Sequence, residues 1–246
     1  MRNVSMRSIM ALIVVVSVAH VWAGDANDPI NTESYKEKIK VACVGDSITA
    51  GVGSKMPWPK MLQQMLGDKW DVKNYGISAR TLLKKGDHPY DKEKMFQDAQ
   101  NLKPDVVVIM LGTNDTKPQN WKFKDEFIAD YKDMIGHFTK ADPKPRTFAC
   151  YAPFVPGKGN FGIVESGVLE QMPMIDTIAK ETGSGIIDMH AALKDKDAML
   201  PDRVHPNTDG ATELAKTVFK KLTGKDFTGE LKIEAPAPKK KKDEAK

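Results

Sequence analysis

The chain has 246 residues, 41% of them hydrophobic and 28% charged, the composition of a globular protein long enough for one large core and one domain. Its net charge of +4 sits at the two ends, in Arg2 and Arg7 and in five lysines set against Asp243 and Glu244 between Ala235 and Lys246. The stretch between is close to neutral, which excludes a basic nucleic-acid-binding surface and makes the pI of about 8.8 a property of the ends.

Residues 1–23 read as a signal peptide. Arg2 and Arg7 form a basic start, Ile9 to Ala19 is an apolar run, and Val21-Trp22-Ala23 precedes a cut after Ala23. An uncleaved anchor is disfavoured because the run is shorter than the ~20 residues that span a bilayer. Cleavage implies a secreted or periplasmic protein. Residues 24–38 are expected to be a linker, 39–224 the folded domain, and 225–246 a disordered tail. The run Ala235-Pro236-Ala237-Pro238-Lys239-Lys240-Lys241-Lys242 has little to bury, and its lysines suit a weak contact with acidic polymers or a solubilising role alone.

Within the domain, strand and helix patterns alternate. Apolar runs predict strands over 39–44, 71–75, 105–111, 146–151 and 185–188. Trp58, Met61, Leu62, Met65 and Leu66 repeat at helical spacing before Gly67 stops the helix. Phe123, Phe127, Tyr131, Met134, Ile135 and Phe138 mark a longer helix, and Leu214, Ala215, Val218, Phe219 and Leu222 a final one. Segments 85–104 and 164–182 supply the remaining helices. The alternation predicts an α/β fold, a flavodoxin-like doubly wound parallel sheet of five strands in the order 2-1-3-4-5. In that order a strand separates Cys43 from Cys150, beyond the ~7 Å Cα limit for a disulfide, so both are expected to be buried free thiols.

Chemistry concentrates at the ends of these strands. Gly45-Asp46-Ser47-Ile48-Thr49 closes the first, and Asp202-Arg203-Val204-His205-Pro206 precedes the last helix. Serine is inert without a base, and the base needs a partner that sets its tautomer. An Asp three residues before a His supplies both from one loop. Taken singly each segment has a plain reading, Ser47 in an ordinary turn and His205 as a solvated loop residue. Asn74-Tyr75-Gly76-Ile77-Ser78-Ala79-Arg80-Thr81 and Leu111-Gly112-Thr113-Asn114-Asp115 end the second and third strands. Gly76 through its N–H, Asn114 through its amide and the Ser47 N–H form a set of three oxyanion donors. Alternatively, Gly76 serves a turn and Asn114 an Asx-turn.

Gly-Asp-Ser, the later Gly, Gly-x-Asn-Asp and Asp-x-x-His resemble, in that order, the four signature segments of the SGNH hydrolases, also called GDSL-type esterases. The resemblance spans about residues 39 to 222. It implies Ser47 as nucleophile, Gly76 and Asn114 as oxyanion donors, and Asp202 with His205 completing a triad. Residues 111 to 121 further resemble a bacterial subgroup of sialate O-acetylesterases and carbohydrate esterases.

The expected function is therefore hydrolysis of small acyl esters of carbohydrates through an acyl-serine. The expected partner is a small-molecule or glycan ester. No cofactor or metal is required: His88, His137 and His190 lack the spacing of a zinc site. Asp188 is an alternative orienter for the histidine, less local than Asp202. Asp46, Trp58, Trp121 and Phe154 are candidate substrate-binding residues, the aromatics being equally explained as core. The Gly- and Pro-rich loop from Pro153 to Gly167 follows the fourth strand and is a candidate pocket wall. Lipase, lysophospholipase or thioesterase chemistry, acyl transfer to a second sugar, and noncatalytic carbohydrate binding on the same fold are the alternatives.

Overall fold

Residues 25–233 are described by the computed structural model of the chain. The leader expected over 1–23 and the Lys-rich run from 235 lie outside them.

Strand β1 (Ile39–Gly45) runs into the single-turn α1 (Ser47–Ala50), followed by α2 (Trp58–Leu66), β2 (Trp70–Gly76), α3 (Lys94–Asn101) and β3 (Val106–Met110). Then come α4 (Pro118–Trp121), α5 (Phe127–Thr139), β4 (Arg146–Tyr151), α6 (Glu165–Thr182), β5 (Gly185–Asp188), α7 (Met189–Leu193) and α8 (Thr208–Thr223). The strands form one parallel sheet in the order β2-β1-β3-β4-β5, as the alternation of patterns predicts.

Successive side chains of a strand point to opposite faces, so a near-continuous apolar strand demands cover on both. Val106, Val108 and Met110 of β3 face a core built with Trp58, Met61 and Leu62 of α2 and Leu214 and Val218 of α8. Val107 and Ile109 face the other core, closed by Phe96 of α3, Tyr131 and Ile135 of α5, and Ile175 of α6. Helix α2 ends at Leu66, where Gly67 predicts its stop. The Asn207 side chain accepts the Gly210 N–H at 3.0 Å to start α8.

Register aligns the carboxyl ends of the three central strands. Gly45 is paired with Gly76 of β2 on one side and with Met110 of β3 on the other. The loops that leave these strands therefore emerge side by side, at the edge where open α/β sheets bind ligands.

Three expectations are corrected. The helix expected from Phe123 begins at Phe127, with shorter turns before it. The segment 85–104 is α-helical only over Lys94–Asn101, after a single 3-10 turn at Tyr90–Lys92. The ends are docked where linker and tail were expected: Ile30 is buried and donates its N–H to the Leu222 carbonyl at 2.7 Å. At the other end Phe227 packs edge-on against Phe219, and the Lys232 N–H donates to Gln64 Oε1 at 2.9 Å. Phe227 and Leu231 supply apolar contacts that the composition of residues 235–246 lacks.

Cys43 on β1 and Cys150 on β4 are free, buried and separated by β3. Burial pushes both thiols up, away from the reactive thiolate. A thiol titration of the native protein is expected to find no reactive group, and the same titration in denaturant to find 2.

Candidate active site

Asp202, His205 and Ser47 form one hydrogen-bonded chain. The Asp202 Oδ1 atom accepts the backbone N–H groups of Val204 at 3.0 Å and His205 at 2.7 Å, folding the loop back on itself. Its Oδ2 atom accepts the His205 Nδ1–H at 2.7 Å. That bond fixes the tautomer, leaving Nε2 as an acceptor 2.8 Å from Ser47 Oγ. Burial would raise the Asp202 carboxyl, but the His205 and Val204 amides and the imidazole together hold it below the ordinary carboxylate range. Asp188 instead caps α7 through the Ala191 N–H at 2.8 Å, so it is not the orienter.

Ser47 is the first residue of α1, a position whose N–H has no intrahelical partner. Asp46 caps that turn, accepting the Ile48 N–H at 2.9 Å. Its other oxygen lies 3.3 Å from Asn114 Nδ2, which also donates to the Arg80 carbonyl at 3.1 Å. Asp46 is thus engaged in holding Ser47 and Asn114 rather than offered to a ligand, a correction to its expected substrate contact. Burial pushes its carboxyl up to about 6, against the Ile48 N–H and the nearby His205. Burial likewise pushes Asp115 up to about 7, although it accepts the Leu83 and Leu82 N–H groups at 2.7 and 3.0 Å.

Gly76 sits elsewhere than expected. Its N–H donates to Asn74 Oδ1 at 2.8 Å, and a Cβ placed on it would lie 2.2 Å from the Ala50 nitrogen. Glycine is required there because α1 crosses the end of β2 at close range. The backbone that reaches the cavity is three residues on, at Ala79, which holds a left-handed φ of 67°. A non-glycine residue in that region carries strain of order 1–3 kcal/mol and marks a position held by its surroundings. The Ala79 N–H has no hydrogen-bond partner among the described residues. Nothing in the Ser-Ala-Arg sequence signals this. Farther along the same loop, the Asp115 carboxyl grips the amides of Leu82 and Leu83.

A cavity of about 280 Å³ opens over Ser47 and His205, with Ala79 and Asn114 on one side and Phe161, Ile163 and Val204 on another. The expected aromatic surface is not the one present. Trp58 is fully buried in the core, since its α2 face packs under the sheet. Trp121 packs edge-on against Phe127 and donates its Nε1–H to Glu170 at 2.6 Å, outside the cavity lining. Phe154 packs on the core with its ring 5.7 Å from His190. The Pro153–Gly167 loop does form a wall, through Phe161 and Ile163. Phe161 was legible as an aromatic placed between Gly159 and Gly162, among turn residues that keep a side chain at the surface.

Two outcomes follow from this packing. Gly76→Ala is expected to lower stability by about 1–3 kcal/mol and to reduce activity, because α1 must move; urea unfolding beside a rate assay checks both. Folding raises the Asp46 carboxyl from 3.8 to about 6, so its stabilisation is complete below 3.8 and is lost as pH rises through 6. Stability of the wild type is expected to fall more steeply than that of Asp46→Asn between pH 4 and 7. Equal slopes would contradict the burial of a protonated carboxyl.

Comparison with known proteins bears on family and fold. The model of the GDSL-like Lipase/Acylhydrolase family matches residues 43–212. An acetylxylan esterase of Xylanibacter ruminicola is 39% identical over 206 residues, covering 74% of this chain. Those residues are 43% of that relative, so the chain spans less than half its length. Among solved structures, the carbohydrate acetylesterase Est24 of Sinorhizobium meliloti superposes with a TM-score of 0.64 at 20% identity, covering 75% of this chain and 98% of that one. The acetylxylan esterase Axe2 of Geobacillus stearothermophilus gives 0.60 at 22% identity, over 76% and 94%. At such identities the two structures speak to fold. Family match, strand order and fold agree, and the chain belongs to the GDSL-like Lipase/Acylhydrolase family of ester hydrolases.

Proposed function

We propose that this protein is an exported serine esterase that removes small acyl groups, acetyl foremost, from carbohydrates. The observation that carries the proposal is the unbroken Asp202–His205–Ser47 hydrogen-bonded chain opening onto a small cavity. Ser47 is the nucleophile and His205 the general base. The Ser47 proton passes to His205 Nε2 as Oγ bonds to the ester carbon and the carbonyl electron pair moves onto oxygen. Collapse of that intermediate breaks the bond to the leaving alcohol, which takes the proton back from His205. Water then repeats the sequence on the acyl-serine, releasing the carboxylic acid and restoring Ser47. Asp202 holds the imidazole and stabilises its charge without itself taking the proton.

The oxyanion is assigned to the Ser47 and Ala79 N–H groups and the Asn114 amide, with Ala79 in the place first given to Gly76. Both backbone donors belong to residues lining the cavity. The 3.3 Å contact from Asn114 to Asp46 is long enough for an oxyanion to compete for that hydrogen.

Acetyl on a sugar is favoured by the small cavity and by the 39% identical acetylxylan esterase. Export rests on the leader-like first 23 residues.

The test is an initial-rate series on p-nitrophenyl acetate, butyrate, octanoate and palmitate, with acetate release from acetylated xylan and from O-acetyl sialic acid. Acetate is expected to be the preferred acyl group, and Ser47→Ala and His205→Ala are each expected to lose at least about a thousandfold in rate. Preference for long chains, or more than a few per cent of activity in Ser47→Ala, would overturn the proposal.

A further inference from the structure

Phe161 stands in an unusual position for a phenylalanine. It is 54% exposed and holds a φ of 55°, a left-handed backbone that a bulky side chain avoids. It sits at the tip of a tight hairpin closed by the Asn160 N–H to the Ile163 carbonyl at 3.1 Å and the Ile163 N–H to the Asn160 carbonyl at 2.8 Å. Gly159 is required beneath it, since a Cβ there would lie 1.9 Å from the Ile163 oxygen.

The hairpin is tied to the reactive loop. Asn160 Nδ2 donates to the Asp202 carbonyl at 3.0 Å, while Asn160 Oδ1 accepts the Phe161 N–H at 2.8 Å. One side chain thus sets the tip against the loop that carries His205. The Phe161 ring comes to rest 5.8 Å from the imidazole, tilted by 59°. Strain and exposed apolar surface both oppose such an arrangement, and the ring's contact with the imidazole leaves about half of it in water among the described residues.

The position of the ring identifies what it meets. In the proposed mechanism His205 hands its proton to the leaving alcohol, so the alcohol departs on the imidazole side of Ser47. Phe161 is on that side, with Val52 and Val204 lining the same cavity. A pyranose has an apolar C–H face of about the area of a phenyl ring, with hydroxyls around its rim. Lys117 and Ser78 on the same cavity are placed to meet such hydroxyls.

We propose that Phe161 is the platform on which the sugar ring of the leaving alcohol stacks, and that it makes the site select carbohydrate esters over simple alkyl esters. The inference rests on the esterase reading above and adds its specificity device. Asn160 is a positioning residue, acting through the hairpin.

The test compares wild type, Phe161→Leu, Phe161→Trp and Phe161→Gly on acetylated xylooligosaccharides and on vinyl acetate, an ester without a ring. The readout is the ratio of kcat/KM for the sugar ester to that for vinyl acetate. Phe161→Leu and Phe161→Gly are expected to lower the ratio about tenfold, mainly through KM on the sugar ester, and Phe161→Trp to keep it within about threefold. Phe161→Gly relieves the backbone strain, so its Tm is expected to equal or exceed that of the wild type. An unchanged ratio in Phe161→Leu overturns the proposal, as does an equal fall on both esters, which would make the ring a mere support for His205. A clear drop in Tm for Phe161→Gly would also overturn it, by showing that the ring is there for packing. Turnover of neither ester by the wild type would instead sink the underlying esterase reading.

Discussion

The hydrogen bond from Ser47 to His205 joins residues 158 apart in sequence, and nearly every other feature of the structure bears on whether those 2.8 Å are kept. Ser47 is placed by β1, the second strand across the sheet, and His205 by the loop that enters α8. The two meet because α8 packs beside α2 on one face of the sheet and the loop after α1 grips the histidine loop. The Lys55 N–H donates to Thr208 Oγ1 at 3.1 Å, and a Cβ on Gly53 would lie 2.9 Å from the Pro206 carbonyl. Closing so long a loop carries an entropic cost that grows only slowly with length. The packed core meets that cost, and the site inherits its rigidity.

The loops around Ser47 are held by polar side chains, several of them buried, rather than by regular structure. Asn74 ties the end of β2 to α1 through the Gly76 N–H and, from Nδ2, the Thr49 carbonyl at 2.8 Å. Asp115 holds the 77–83 loop by two amides, Asp46 joins Ser47 to Asn114, and Asn160 joins the hairpin tip to Asp202. Burial makes the contacts of Asp46, Asn114 and Asp115 strong and their loss expensive. It also keeps protons on Asp46 and Asp115 to unusually high pH, at about 6 and 7. The fold therefore gives up some stability near neutral pH to hold the donors and the nucleophile in one arrangement.

Much of this was readable from the chain. The strand-like runs alternating with helical stripes predict the five strands, and right-handed crossovers between them predict their order. Gly-Asp-Ser and Asp-x-x-His point to the groups proposed to react because that chemistry tolerates few residue types. Gly76 was misassigned for a physical reason: its missing side chain lets α1 approach, a need that resembles a free N–H when only the sequence is read. Ala79 was missed because alanine gives no hint of a left-handed backbone. Trp58 belongs to a helical stripe whose periodicity already pointed to the core. Phe161 belongs to no stripe, which is what its exposure reflects.

The most direct test of the account is to label the protein with a fluorophosphonate, an acyl-transfer mimic that stays on an activated serine, and to map the adduct by peptide mass spectrometry. The account predicts a single adduct on Ser47, formed far more slowly in His205→Ala and suppressed by excess acetylated xylooligosaccharide. An adduct on another serine, or ester turnover with no adduct on Ser47, would contradict it.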